Sequence, residues 1–87
     1  MEAKLRRKAE KYLARLSEPH KSAVADAIDR LEREPPEGDI EPLIGKKGFF
    51  RARAGGFRIL FTINDGHILV TNIVPRGQAY SKKELKK

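Results

Sequence analysis

The sequence predicts an α+β domain in which an N-terminal αα-hairpin packs on a small antiparallel β-meander of three strands. Three observations carry that expectation. Residues 2–34 hold two apolar stripes at spacings of three and four, the period of a helix. Residues 49–74 instead alternate apolar and polar side chains, the period of a strand. Gly55-Gly56 and Asn64-Asp65-Gly66 interrupt that alternation where hairpin turns belong. At 87 residues the chain reads as one domain, 1–87. A chain of this size buries only about 60% of its unfolded surface, so its core is modest.

The first helix is expected from Glu2 to Leu16, with Leu5, Ala9, Tyr12, Leu13 and Leu16 as its apolar stripe. Lys4, Arg6, Arg7, Lys8, Lys11 and Arg15 fill the remainder, either as a solvated amphipathic face or as an addition to a nucleic-acid footprint. Ser17-Glu18-Pro19 ends this helix and starts the next, since Ser or Glu suits a cap and proline suits a first turn. The second helix extends to about Glu34, where Pro35-Pro36 stops it; Ala23, Val24, Ala27, Ile28 and Leu31 form its stripe. Glu37 to Gly48 reads as a connector punctuated by Gly38, Pro42, Gly45 and Gly48.

Phe49 to Phe61 organises the chain. With Gly55-Gly56 as a two-residue loop, Ala54 falls opposite Phe57, Arg53 opposite Arg58, Ala52 opposite Ile59 and Arg51 opposite Leu60. One face then carries Phe50, Ala52, Ala54, Phe57, Ile59 and Phe61, and the other carries Arg51, Arg53 and Arg58. Like charges opposed across a hairpin are destabilising. Three arginines converging with no acid among them are either the wet side of an antiparallel sheet or the seat of an anion supplied from outside, for which the guanidinium fork suits phosphate. Lys46 and Lys47 precede this hairpin and extend its positive field. The strand from Phe57 to Ile63 leads through the second turn, of two or three residues, into a third strand, His67 to Val74. Pro75-Arg76-Gly77 then carries Arg76 off the sheet beside the middle strand. Tyr80 follows with a ring able to stack on an unpaired base. Ser81 to Lys87 is a basic tail that includes Lys82 and Lys83.

Composition narrows the function classes. Net charge is +7, distributed as +4 over residues 1–17, −5 over 18–45 and +8 over 46–87. A basic half with an arginine cluster points to nucleic acid or an acidic protein surface. With no cysteine, the chain has no disulfide scaffold, thiolate metal site or cysteine nucleophile, which fits a cytoplasmic location. No apolar run is long enough for a membrane helix, so no membrane partner is expected. There is no phosphate loop, dinucleotide fingerprint, zinc-ligand spacing or Ser-His-Asp set, so neither metal nor small-molecule cofactor is expected. His20 and His67 read chiefly as surface residues.

Two helices, then Arg-Ala-Arg-Ala-Gly-Gly-Phe-Arg-Ile-Leu-Phe, then a strand ending in Pro-Arg-Gly-Gln-Ala-Tyr, together resemble the RelE/ParE toxin superfamily over nearly the whole chain. The resemblance implies a RelE-like toxin of a type II toxin–antitoxin system. Such a toxin is a ribosome-dependent endoribonuclease that cuts messenger RNA in the ribosomal A site and inhibits translation. Carried over residue by residue, it implies roles for Arg51, Arg53, Arg58, Arg76 and Tyr80. It also implies an antitoxin partner, RelB-like or other, besides the ribosome and mRNA. The alternatives are a ParE-type inhibitor of DNA gyrase and a non-catalytic RNA- or protein-binding module. The sequence departs from the family at its front. The family opens on a β-strand, whereas helical periodicity here begins by Leu5. The expected sheet therefore lacks that strand and has an open edge, in a copy that is either complete without it or truncated.

Overall fold

The turn at Gly55-Gly56 fixes the register of the sheet. Gly55 has φ +59°, a value at the first loop position that glycine reaches without strain. The flanking strands pair as expected, Ala54 with Phe57, Arg53 with Arg58, Ala52 with Ile59 and Arg51 with Leu60. The structure, a computed structural model, describes residues 1–75. Its elements are β1 (Glu2–Leu5), α1 (Arg7–Arg15), α2 (His20–Leu31), β2 (Asp39–Pro42), β3 (Phe49–Ala54), β4 (Phe57–Asn64) and β5 (His67–Pro75).

The sheet has five strands in the order β1-β5-β4-β3-β2, not three. β1 lies parallel to β5, and every other pair is antiparallel. Two elements of the sequence reading are therefore corrected. The chain opens on a strand, so the two helices follow β1 instead of beginning the fold. The supposed connector contains the edge strand β2.

β1 was masked by residue type. Glu2, Ala3, Lys4 and Leu5 are sound helix formers, and Leu5 stands four residues before Ala9, a spacing that a helix and a strand both allow. The actual period is two: Ala3 and Leu5 are half-buried while Glu2 and Lys4 are exposed. Pairing with a long buried strand decides the matter, Glu2 opposite His67 through Leu5 opposite Val70. Arg6 stays extended at φ −65° and ψ 156°, and the helix begins after it. β1 is the edge strand of the sheet, and one of its outward donors is satisfied. The Ala3 N–H donates to the Glu32 carboxylate at 2.8 Å, at the end of α2.

Both helices cover one face of the sheet. Ala9 from α1 and Val24, Ile28 and Leu31 from α2 are buried against Ala52, Ile59, Phe61, Ile68, Val70 and Ile73. Of these, Leu31, Ile59, Phe61, Ile68 and Ile73 are among the largest fully buried side chains. Two further features shape the sheet. Asp65 and Gly66 have φ of +51° and +77°, and Asn64 pairs with His67, so the second hairpin has a two-residue loop of the I′ kind. Between Leu60 and Phe61 the pairing with β5 shifts, from Asn72 to Val70, leaving Thr71 as the extra residue of a bulge. The Thr71 hydroxyl donates to the Leu60 carbonyl at 3.2 Å. The second face of the sheet has no helix over it among the described residues, and the arginines lie there.

Candidate nucleic-acid interface

The alternation of β3 and β4 turns Arg51, Arg53 and Arg58 to the helix-free face, as their spacing requires. Their environments differ. Arg51 is 7% exposed, Arg58 half-buried and Arg53 exposed. Arg53 and Arg58 are directly paired across the hairpin.

The cluster is not free of acids, which corrects the sequence reading. β2 pairs with β3 so that Asp39 stands opposite Arg53 and Glu41 opposite Arg51. Asp39 and Glu41 share this face because they are two apart, while Ile40 between them is half-buried with the core. The Arg51 Nη2 donates to a Glu41 carboxylate oxygen at 2.5 Å, and its Nη1 lies 3.9 Å from Asp39. The Arg53 Nη1 lies 3.7 Å from the other Asp39 oxygen. β2 thus supplies counter-charges that hold β3 and relieve the like-charge repulsion. The Arg51 Nη1 is buried with no hydrogen-bond partner among the described residues.

Two hollows mark this face. One, of about 310 Å³, lies among Arg51, Arg53, Arg58, Glu41 and the apolar run Pro42-Leu43-Ile44. Ile44 is 92% exposed there. The other, of about 370 Å³, lies toward β1. Leu43, Phe49, Leu60 and Leu69 give it an apolar lining, and Thr62, Thr71 and Asn72 add polar groups. Among the described residues its charged lining is Arg6, Lys8 and Lys46, with no acidic side chain. Lys46 extends over the Phe49 ring, with Nζ 4.9 Å from the centroid. Leu43 lines both hollows and joins them.

Of the residues singled out in the sequence, Arg51, Arg53 and Arg58 come together, and Lys46 lies beside them in the larger hollow. Lys47 is exposed and lines neither hollow. Arg76, Tyr80, Lys82 and Lys83 lie outside the described residues. β5 ends at Pro75, opposite Phe57, with Val74 opposite Arg58, so the described chain stops at the arginine end of this face. His20 is exposed and packs edge-on against Phe57, its ring centroid 5.2 Å away, and His67 is exposed at the turn. The sequence reading missed Asp39 and Glu41, although the Asp-Ile-Glu alternation was there to find. It also left Arg6 and Lys8 within a general basic helix face.

The chain matches the family model described as the ParE toxin of type II toxin–antitoxin systems, parDE, over residues 3–80. Among solved structures it resembles the archaeal RelE–RelB complex from Pyrococcus horikoshii, at 30% identity and TM-score 0.73, covering 90% of this chain and 97% of that one. It also resembles the RelBE2 toxin–antitoxin complex from Mycobacterium tuberculosis, at 23% identity and TM-score 0.71, covering 86% and 96%. The isolated Escherichia coli RelE toxin shares the fold at TM-score 0.74 and 13% identity, covering 95% and 92%. A comparison with curated protein sequences finds no significant match. The family match spans most of the chain, and the archaeal toxin complex covers 90% of it at 30% identity. The chain therefore belongs to the ParE toxin family of type II toxin–antitoxin systems, within the RelE/ParE superfamily.

Proposed function

We propose that this toxin is a ribosome-dependent endoribonuclease that cleaves messenger RNA in the ribosomal A site. The observation that carries the reading is the helix-free sheet face, where Arg51, Arg53 and Arg58 meet beside a basic, apolar-floored hollow. In the reaction, the ribose 2′-oxygen attacks its own 3′-phosphorus. The P–O5′ bond breaks, leaving a cyclic phosphate and a 5′-hydroxyl, while one proton leaves the nucleophile and one reaches the leaving oxygen. Charge grows on the phosphoryl oxygens, and fixed guanidiniums stabilise it.

Arg58 and Arg76 hold the scissile phosphate in this scheme, and Tyr80 stacks on a base or assists proton transfer. Arg53 contacts the RNA. Arg51, clamped by Glu41, shapes the field and positions its neighbours. Lys47 and the tail lysines Lys82 and Lys83 add contacts to the RNA backbone. Arginine is a poor base. Among the described residues, those lining the two hollows include no histidine and one carboxylate, Glu41, which is paired with Arg51. A site strong in electrostatics and short of acid–base groups needs its substrate positioned from outside, the ribosome's part in this scheme.

The antitoxin is the second partner. The similar toxins from Pyrococcus horikoshii and Mycobacterium tuberculosis were solved in complex with theirs. An acidic antitoxin segment over the arginine face supplies further counter-charge.

The matched family model carries the ParE name, and the second reading is a ParE-type toxin directed at DNA gyrase. One experiment separates the two: inducible expression in a bacterium, with messenger RNA ends and gyrase-linked DNA breaks mapped in parallel. New in-frame RNA cuts during growth arrest are expected. Arrest with broken DNA and intact messages would establish the gyrase reading instead.

A further inference from the structure

The larger hollow is unused by the chemistry above, and its lining has a consistent character. Its floor is apolar, from Leu60, Leu69, Leu43 and Phe49. The bulge at Leu60/Phe61 places Thr71 and Asn72 together in its wall, where a regular strand would turn one of them away. Arg6, the extended residue between β1 and α1, and Lys8 form one charged rim, and Lys46 forms the other. The Arg6 side chain has no acidic partner among the described residues.

We propose that this groove is a nucleotide subsite of the toxin, taking one unpaired nucleotide of single-stranded RNA next to the one held on the arginine face. The base lies on the Leu60, Leu69 and Phe49 floor, and the phosphates on either side face Arg6 and Lys8 on one rim and Lys46 on the other. Stacking and apolar contact with a splayed base, flanked by basic side chains, is how unpaired nucleic acid is held. Continuity supports the path. Leu43 lines both hollows, and Leu60 in the groove floor is the direct cross-strand partner of Arg51. Among the described residues, a strand leaving the arginines along this row enters the groove without crossing an acidic one. An acidic protein segment fits less well, because a carboxylate satisfies the rim but leaves the apolar floor and most of about 370 Å³ unfilled. The inference rests on the ribonuclease reading for the identity of its ligand.

The test is titration of the isolated chain with a 2′-O-methyl ribotrinucleotide, which cannot be cut, followed by backbone amide NMR. Shifts at Leu60, Thr62, Leu69, Thr71 and Asn72 are expected. The double variant Arg6→Ala/Lys8→Ala is expected to bind roughly tenfold more weakly and to flatten the salt slope by about 1 to 1.5, near 0.7 per lost phosphate contact. Lys21→Ala, which removes an equal type of charge from the exposed surface of α2, is expected to bind as the parent does. Absence of shifts in the groove overturns the proposal. So does a double variant that binds as tightly as the parent, or an acidic peptide producing the same shifts at lower concentration. The failures separate. Cuts at parental rate by the double variant in cells overturn the groove and leave the ribonuclease reading. Groove binding lost in the double variant, with no cuts by the parent, overturns that reading and leaves an RNA groove.

Discussion

Arg51 and Arg58 lie on one sheet face, yet their surroundings assign them different work. Arg51 is enclosed and bonded to Glu41, with Asp39 beyond. Removing Glu41 leaves a buried guanidinium short of a partner, at a cost of about 1–3 kcal/mol, moderated because Glu41 itself is largely exposed. Glu41→Ala is therefore expected to lower the melting temperature by several degrees, read by circular dichroism, and the loss should shrink in high salt. Arg58 is half-buried, and in the proposed reaction it holds the scissile phosphate. Arg58→Ala is expected to keep the melting temperature within a few degrees and to reduce messenger RNA cleavage on the order of 10²–10³-fold, the loss seen when one fixed charge-stabilising donor is deleted. The arginine triplet was legible because a two-residue loop leaves one register. Its acids were not, because they reach it from β2, which pairs with β3 across a loop and only four residues long.

At the scale of elements, local signals decided what was readable. The β3–β4 hairpin follows from Gly55-Gly56 and a period of two, both contained in adjacent residues. β2 is short and ends in Pro42, which an edge strand tolerates but which also reads as a loop residue. β1 is the clearest failure. Its four residues favour helix, and what makes them a strand is β5, at the other end of the chain. Its outer-edge Ala3 amide is bonded to Glu32, so Glu32→Ala is expected to speed hydrogen exchange at the Ala3 amide and to cost roughly 1 kcal/mol in urea unfolding. α2 has a similar local device. The Ser22 side chain and N–H bond to the Glu18 carboxylate and hold its pKa below the usual carboxylate value. A depressed folded-state pKa means the contribution is present above the unfolded value and is lost as pH falls through the folded one. Exchange at the Ser22 amide is expected to rise in that acid window relative to neighbouring amides, and Glu18→Gln is expected to abolish the step.

For the whole molecule, one asymmetry organises function. Two helices close one side of a five-stranded sheet, and the arginines and the basic groove occupy the other. Among the described residues no helix is long and apolar enough to cross a membrane. Of the basic residues in the chain's final half, β3 and β4 turn Arg51, Arg53 and Arg58 to the helix-free face, with Asp39 and Glu41 of residues 18–45 folded back against Arg51 and Arg53. That arrangement suits a phosphate-bearing substrate presented by a larger assembly. The central claim is that this face cuts RNA held by the ribosome. The most direct measurement is cleavage of a defined message on purified ribosomes with a codon held in the A site, using parent and Arg58→Ala at equal folded concentration. The expected result is a single cut within that codon by the parent, absent without ribosomes and reduced at least a hundredfold in the variant. A message left intact by the parent, or cut equally well by Arg58→Ala, would contradict the claim.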